Sequence, residues 1–212
     1  HLHFDHILGL PFFGPLRHED SVFDVYGPRQ SEGDLCGVLG QVVRPPFFPV
    51  PLQRLLSELR FHDVTDNHRF AIGDAQIRAR VVRHPGVTLG YRIEADGQSV
   101  AYLPDHQQPG EGETCDDGAL DLCADVDVLV HDAQYTDVEL SHKHDWGHST
   151  VDFAVELARR SRARHLVLFH HDPSHDDAAL DDMLERAQKL AAPHGVEVSS
   201  AREGENFRLG HL

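Results

Sequence analysis

The chain opens on His1-Leu2-His3-Phe4-Asp5-His6, and imidazole and carboxylate groups at this spacing are what a divalent cation takes as ligands. Two histidines one residue apart point the same way from an extended segment, and Asp5-His6 can turn back toward a second ion. Three further candidates follow apolar, strand-like runs: His84 after 78–83, Asp105 after 100–103 and His170 after 166–169. Strand ends are where an α/β scaffold gathers a site. His171 is as basic as its neighbour, but period-two alternation sends the two side chains opposite ways. The chain holds 18 histidines outside any tag-like run, which suits a protein that binds metal through imidazole.

These side chains need strands and helices to bring them together. Residues 5–13 read as a loop running into a short helix, and 22–26 as a strand stopped by Gly27-Pro28. A Pro-rich stretch at 45–51 interrupts the pattern, and 52–59 reads as a helix. Short β-like runs follow at 76–83, 88–94, 99–103 and 126–131, in the chain order of a meander, with a hairpin at Ala95-Asp96-Gly97. Residues 149–160 read as an amphipathic helix with Val151, Ala154, Val155 and Ala158 on one stripe and Ser149 with Asp152 as its capping pair. The apolar run 166–169 suits a buried strand. Leu180, Met183, Leu184, Ala187 and Leu190 recur at helical spacing after Asp176-Asp177, and 196–199 and 207–209 read as closing strands. With 212 residues the chain has the length for one domain over 1–212.

Composition narrows the partners. Nineteen Lys and Arg against 35 Asp and Glu give a formal charge of −16, which opposes bulk nucleic-acid binding and an anionic membrane surface. A small anionic substrate would need a local positive centre, and bound metal supplies one. Cys36, Cys115 and Cys123 are too few for a disulfide scaffold or a thiolate cluster, and no apolar run approaches a membrane span. The expected compartment is reducing, and the expected location cytoplasmic.

The opening H-x-H-x-D-H with Gly9-Leu10-Pro11-Phe12-Phe13, followed by an isolated histidine, an aspartate after a strand and a histidine after an apolar strand, resembles the metallo-β-lactamase superfamily. The likeness is to its phosphodiesterase branch, which includes ribonuclease Z. Val82-Arg83-His84 before Gly90-Tyr91-Arg92-Ile93 looks like that branch's third-histidine segment, and Tyr102-Leu103-Pro104-Asp105 like the segment of the bridging aspartate. Val130-His131-Asp132-Ala133 resembles its His-Glu-Ala stretch with Asp for Glu. Gly147-His148-Ser149-Thr150 matches its His-Ser-Thr motif, and Leu168-Phe169-His170 its final metal histidine.

The resemblance implies an αββα sandwich and two divalent metal ions, Zn2+ by preference with Mn2+ or Fe as alternatives. It puts His1, His3 and His84 on one ion, Asp5, His6 and His170 on the other, and Asp105 between them. Asp5, His148 and Asp132 are then catalytic, with His148 as proton donor oriented by Asp132, at the start of a helix whose N–H groups suit a phosphoryl oxygen. The implied reaction is hydrolysis of a phosphodiester, a nucleotide or a small one, and a homodimer is the expected assembly. A lactam, lactone or thioester hydrolase on the same site, and a non-enzymatic, metal-stabilised nucleotide-binding regulatory domain, are the competing readings. Family members carry a strand and most of a first sheet before H-x-H-x-D-H. The resemblance therefore also implies that part of the first sheet is missing here, and that this piece is poorly folded or inactive by itself.

Taken one at a time, the same residues have plainer readings. The opening histidines read as a tag remnant or solvated surface, Asp105 as a turn residue and His148 as a helix-flanking residue. His106, His131, His171 and His175 are expected behind the site or on the surface. His142 and His144 beside Trp146 are expected in a loop near its opening, and Phe47 and Phe48 in a substrate lid or in the core.

Overall fold

Alternation of buried and exposed side chains along 75–103 produces a set of adjacent antiparallel strands. In the computed structural model, which describes residues 1–207 and 209, the chain forms two compact units, His1–Thr65 and Asp66–Leu212.

The second unit is built on a seven-stranded sheet. Its strands are β3 (Arg69–Ile72), β4 (Ala75–Val82), β5 (Thr88–Ala95), β6 (Gln98–Leu103), β7 (Val128–Asp132), β8 (His165–Phe169) and β9 (Glu197–Ser200), hydrogen-bonded in chain order. Strands β3 to β6 run antiparallel. The β5–β6 hairpin closes on Asp96 and Gly97, both at positive φ, the geometry that a two-residue turn between right-twisted strands requires.

Strands β6 to β9 run parallel, so the expected meander ends at β6. A parallel neighbour needs a crossover, and each of these carries a helix: α3 (Asp117–Cys123), α5 (Val151–Ser161) and α6 (Asp177–Ala191). Helix α3 packs on β4, β5 and β6, α5 on β7 and β8, and α6 on β9 and α5. The core they enclose runs from Val82 through Leu103, Leu122, Leu129 and Leu166 to Val198, and it takes Val151, Ala154, Val155 and Ala158 from the expected stripe of α5.

The capping pair at α5 differs from expectation. Thr150, not Ser149, is the cap, its hydroxyl accepting from the Phe153 N–H, while the Ser149 hydroxyl donates to the His106 carbonyl. The N–H groups of Ser149, Thr150 and Val151 also have protein acceptors, in Asp132, Gln108 and the Tyr135 carbonyl. That helix start is therefore not the open phosphoryl cradle that the motif suggests.

The first unit holds α1 (Phe4–Ile7), β1 (Val22–Pro28), α2 (Leu35–Val42) and β2 (Glu58–Val64), with β1 and β2 paired in parallel. Leu35, Leu39, Val43 and Leu52 form its buried cluster, and Phe48 packs against it whereas Phe47 is exposed. The expected helix over 52–59 is a single 3-10 turn, Leu52–Arg54, that leads into β2. Leu55 is already extended (ψ 146°), and the residues after it alternate as a strand does. The short helix α4 (Asp137–Leu140) in the second unit starts with a capping box of Thr136 and Glu139. The expected strand 207–209 includes Arg208, outside the described residues, and Phe207 and Leu209 belong to no strand. Among the described residues no helix is long and apolar enough to cross a membrane.

Candidate functional site

In the second unit three strand ends and one helix start deliver four histidine and aspartate side chains to one place. His84 follows β4, Asp105 follows β6, His170 follows β8, and His148 precedes α5. Ligand atoms of His84, Asp105 and His148 lie within 4.8 Å of one another, as do those of Asp132, His148 and His170. Asp105 is almost wholly buried, and its Oδ1 lies 3.4 Å from His170 Nε2. The ring of His148 stands between the other two, with centroids 5.4 Å from His84 and 5.0 Å from His170.

Each ring is oriented from behind. His84 Nδ1 donates to the Gly147 carbonyl at 2.7 Å, which puts the lone pair of its neutral form on Nε2. Gly147 cannot be another residue without cost: its φ is +95°, and a Cβ there would lie 2.5 Å from His84 Nδ1 and 2.4 Å from Pro85 Cδ. His170 sits in the left-handed region at φ 58°, conformational strain of the kind that collects where function overrides local preference. Gln134 holds its Nδ1 through the side-chain amide at 2.9 Å.

Asp132, at the end of β7, is fully buried and accepts four N–H groups. His148 Nδ1 at 2.7 Å and the His106 amide at 3.2 Å reach Oδ2, and the Gln134 and Ser149 amides at 3.1 and 3.2 Å reach Oδ1. Burial pushes its carboxyl above the ordinary value, while the bond and charge of His148 pull the other way. The four bonds use the lone pairs of a carboxylate and leave none idle.

Behind Asp132 lies a row of buried side chains. His131 Nδ1 donates to the Asp132 carbonyl at 2.6 Å, and its Nε2 meets His106 Nδ1 at 2.8 Å. His106 Nε2 in turn reaches Asp116 Oδ2 at 2.8 Å. Burial, and next the neighbouring His106, hold His131 well below the usual histidine value. His106 and His131 thus lie behind the site, the first of the two places expected for them. His171 faces Ser200 and His175 faces Glu139; β8 ends at Phe169 and His170 has a positive φ, so the strand alternation expected to separate His170 from His171 does not extend to them. Gln134, Gly147 and the His106 backbone were not singled out from sequence. Only Gly147 carried a signal, as the residue before His148.

The first unit carries the other four expected ligands on and beside α1. The rings of His1 and His3 have centroids 4.3 Å apart, those of His1 and His6 4.4 Å apart, and His6 Nε2 lies 3.4 Å from Asp5 Oδ2. In each unit the expected ligands are imidazole nitrogens and carboxylate oxygens, a donor chemistry that fits zinc, manganese or iron.

Residues 1–171 match the model of the beta-lactamase superfamily domain. Over its whole length the chain is 28% identical to a ribonuclease Z of Anoxybacillus flavithermus, covering 79% of that protein. It is 27% identical to a ribonuclease Z of Geobacillus kaustophilus over 90% of this chain and 74% of the relative. Among solved structures it is similar to the metallo-beta-lactamase fold protein YhfI from Bacillus subtilis, with a TM-score of 0.71 at 18% identity over 97% of this chain and 73% of that one. It is also similar to the short form of human tRNase Z, with a TM-score of 0.63 at 22% identity over 82% of this chain and 71% of that one. The expected fold class and family resemblance are therefore borne out, and the chain belongs to the β-lactamase superfamily, as a metallo-hydrolase of that family.

Proposed function

We propose that the chain hydrolyses a small phosphodiester, a nucleotide among them, at two divalent cations, zinc by preference. His1, His3 and His84 would hold one cation and Asp5, His6 and His170 the other, with Asp105 as the ligand the two would share. Cations held this way polarise the phosphoryl group and make water acidic enough to attack near neutral pH. The observation that carries the reading is the 2.7 Å bond from His148 Nδ1 to buried Asp132. It leaves Nε2 as the atom that gives a proton to the leaving oxygen, and it sets an acceptor beside the ring when the ring is charged. Asp5 completes the catalytic set as a ligand whose carboxylate also orients the attacking water. Support for RNA-like phosphodiester chemistry comes from the name of the relatives, and support for a small substrate from the chain's charge of −16.

The test compares bis(p-nitrophenyl) phosphate, an alkyl nitrophenyl phosphodiester and a dinucleotide with nitrocefin and an acyl lactone, using zinc-loaded and chelator-stripped protein. Phosphodiester turnover that chelation abolishes is expected, and His148→Ala is expected to lower kcat by about 10²–10⁴-fold for the poor leaving group and far less for nitrophenolate. Equal losses for both would remove His148 as the acid. Turnover of nitrocefin or lactone alone would replace the phosphodiester with a carbonyl substrate. Light scattering decides between monomer and homodimer.

A further inference from the structure

The segment between α4 and His148, Ser141-His142-Lys143-His144-Asp145-Trp146-Gly147, is pinned to each of the three ligand-bearing strand ends of its unit. The Gly147 carbonyl accepts from His84. The His144 carbonyl accepts from Gln107 Nε2 at 3.3 Å, two residues beyond Asp105. Lys143 Nζ makes a 2.7 Å ion pair with Asp172, two residues beyond His170. The same ammonium lies 4.6 Å from the centre of the buried Tyr135 ring and 5.4 Å from that of Trp146, and the backbone N–H of Trp146 donates to the Lys143 carbonyl at 3.0 Å.

Trp146 is nonetheless 59% exposed, a large apolar ring open to solvent on a backbone that is itself hydrogen-bonded, and it is the chain's single tryptophan. It stands two residues before His148, so the backbone sets the two within about 7–8 Å, Cα to Cα. The ammonium beside it is not a spare phosphate hand, because Asp172 already takes its charge. What the indole offers a ligand is a flat face, polarised by the cation beside it.

We infer that Trp146 is a stacking platform for a nucleobase, and that it makes nucleoside phosphodiesters the preferred substrates over aliphatic ones; this rests on the phosphodiesterase reading above. Charge points the same way. A chain of net −16 gains little by tracking phosphates, whereas stacking on an aromatic ring is indifferent to net charge and to which base is presented.

The probes are adenosine 5′-monophosphate and ribose 5-phosphate, which differ by the base alone, titrated into the zinc-loaded full chain by calorimetry and by the fluorescence of the one tryptophan. The nucleotide is expected to bind on the order of tenfold tighter than the sugar phosphate and to quench the emission saturably. In Trp146→Ala that ratio is expected to collapse toward one, and in Trp146→Phe to recover most of its value, with unchanged circular dichroism in both. A ratio near one in the parent chain, or a ratio that Trp146→Ala leaves intact, overturns the platform. Base preference without any phosphodiester hydrolysis would overturn the proposed reaction and keep the platform. Hydrolysis without base preference would do the reverse.

Discussion

In the unit Asp66–Leu212 the side chains that carry chemistry are locked from behind by second bonds: His84 by Gly147, His170 by Gln134, and His148 by an aspartate that accepts four N–H groups. In His1–Thr65 they stand on and beside a four-residue helix with no buried residue, the His1 ring resting on those of His3 and His6, and Phe4, Leu8, Phe12 and Phe13 nearby are more than half exposed. The difference teaches where rigidity comes from. In the second unit a ligand is as fixed as the packed sheet and the hydrogen-bond partner behind it.

The most severe way to break that contrast is to take away the acceptor at its centre. Asp132→Asn turns an acceptor of four N–H groups into a group with two N–H donors of its own, facing His148 and three amides. A fall in kcat of about 10²–10⁴-fold is expected, with zinc content by elemental analysis unchanged. Full activity would show that His148 needs no partner. Lost zinc would move Asp132 from orienting the acid to holding the metal site together.

Next in size are the cores. Leu129 is fully buried between helices and sheet, whereas Leu39 belongs to the small cluster of the first unit. Leu-to-Ala changes cost about 2–5 kcal/mol, least where the surroundings can relax. Urea unfolding should put Leu129→Ala near the upper end and Leu39→Ala near the lower. The reverse order would show the first unit to be the more tightly packed.

Smaller again is the effect of Gly147→Ala, which threatens one ligand and leaves the sheet alone. The added methyl would press on the His84 ring, and the φ of +95° disfavours any side chain. A loss of about 10–100-fold in zinc affinity, with little change in unfolding midpoint, is the expected result, read by competition with a chromophoric chelator. Unchanged affinity would mean that His84 is placed by β4 alone.

What the sequence made legible divides along the same line. His84, Asp105 and His170 were readable because each follows an apolar strand, and strand ends converge. Their supports were not, since the partners are far away in the chain: Gly147 for His84 and Gln134 for His170. The depth at which His106 and His131 lie is likewise set by long-range packing that a lone histidine does not announce. Helix α2 was missed because Gly37 and Gly40 weaken its intrinsic signal, although Asp34 caps it. The 52–59 run misled because its leucines fit helical spacing until pairing with β1 draws 58–64 into a strand.

The cap of α5 offers the finest probe, because sequence and structure name different residues for it. Ser149 and Asp152 fit the capping-box pattern, yet Asp152 binds Arg186 on the surface and Thr150 takes the Phe153 N–H. If Thr150 is the cap, Thr150→Ala costs about 1 kcal/mol in thermal or urea unfolding, and Thr150→Ser, which keeps the hydroxyl, recovers most of it. Asp152→Ala should then cost less than about 0.5 kcal/mol, as the loss of an exposed ion pair does. A Thr150→Ser variant as damaged as Thr150→Ala would trace the effect to the lost methyl group, and an Asp152→Ala variant as damaged as either would return the cap to the pair that the sequence suggests. Because α5 carries His148 at its threshold, any unravelling of its first turn should also appear as a drop in kcat that scales with the loss of stability, while KM stays where it was.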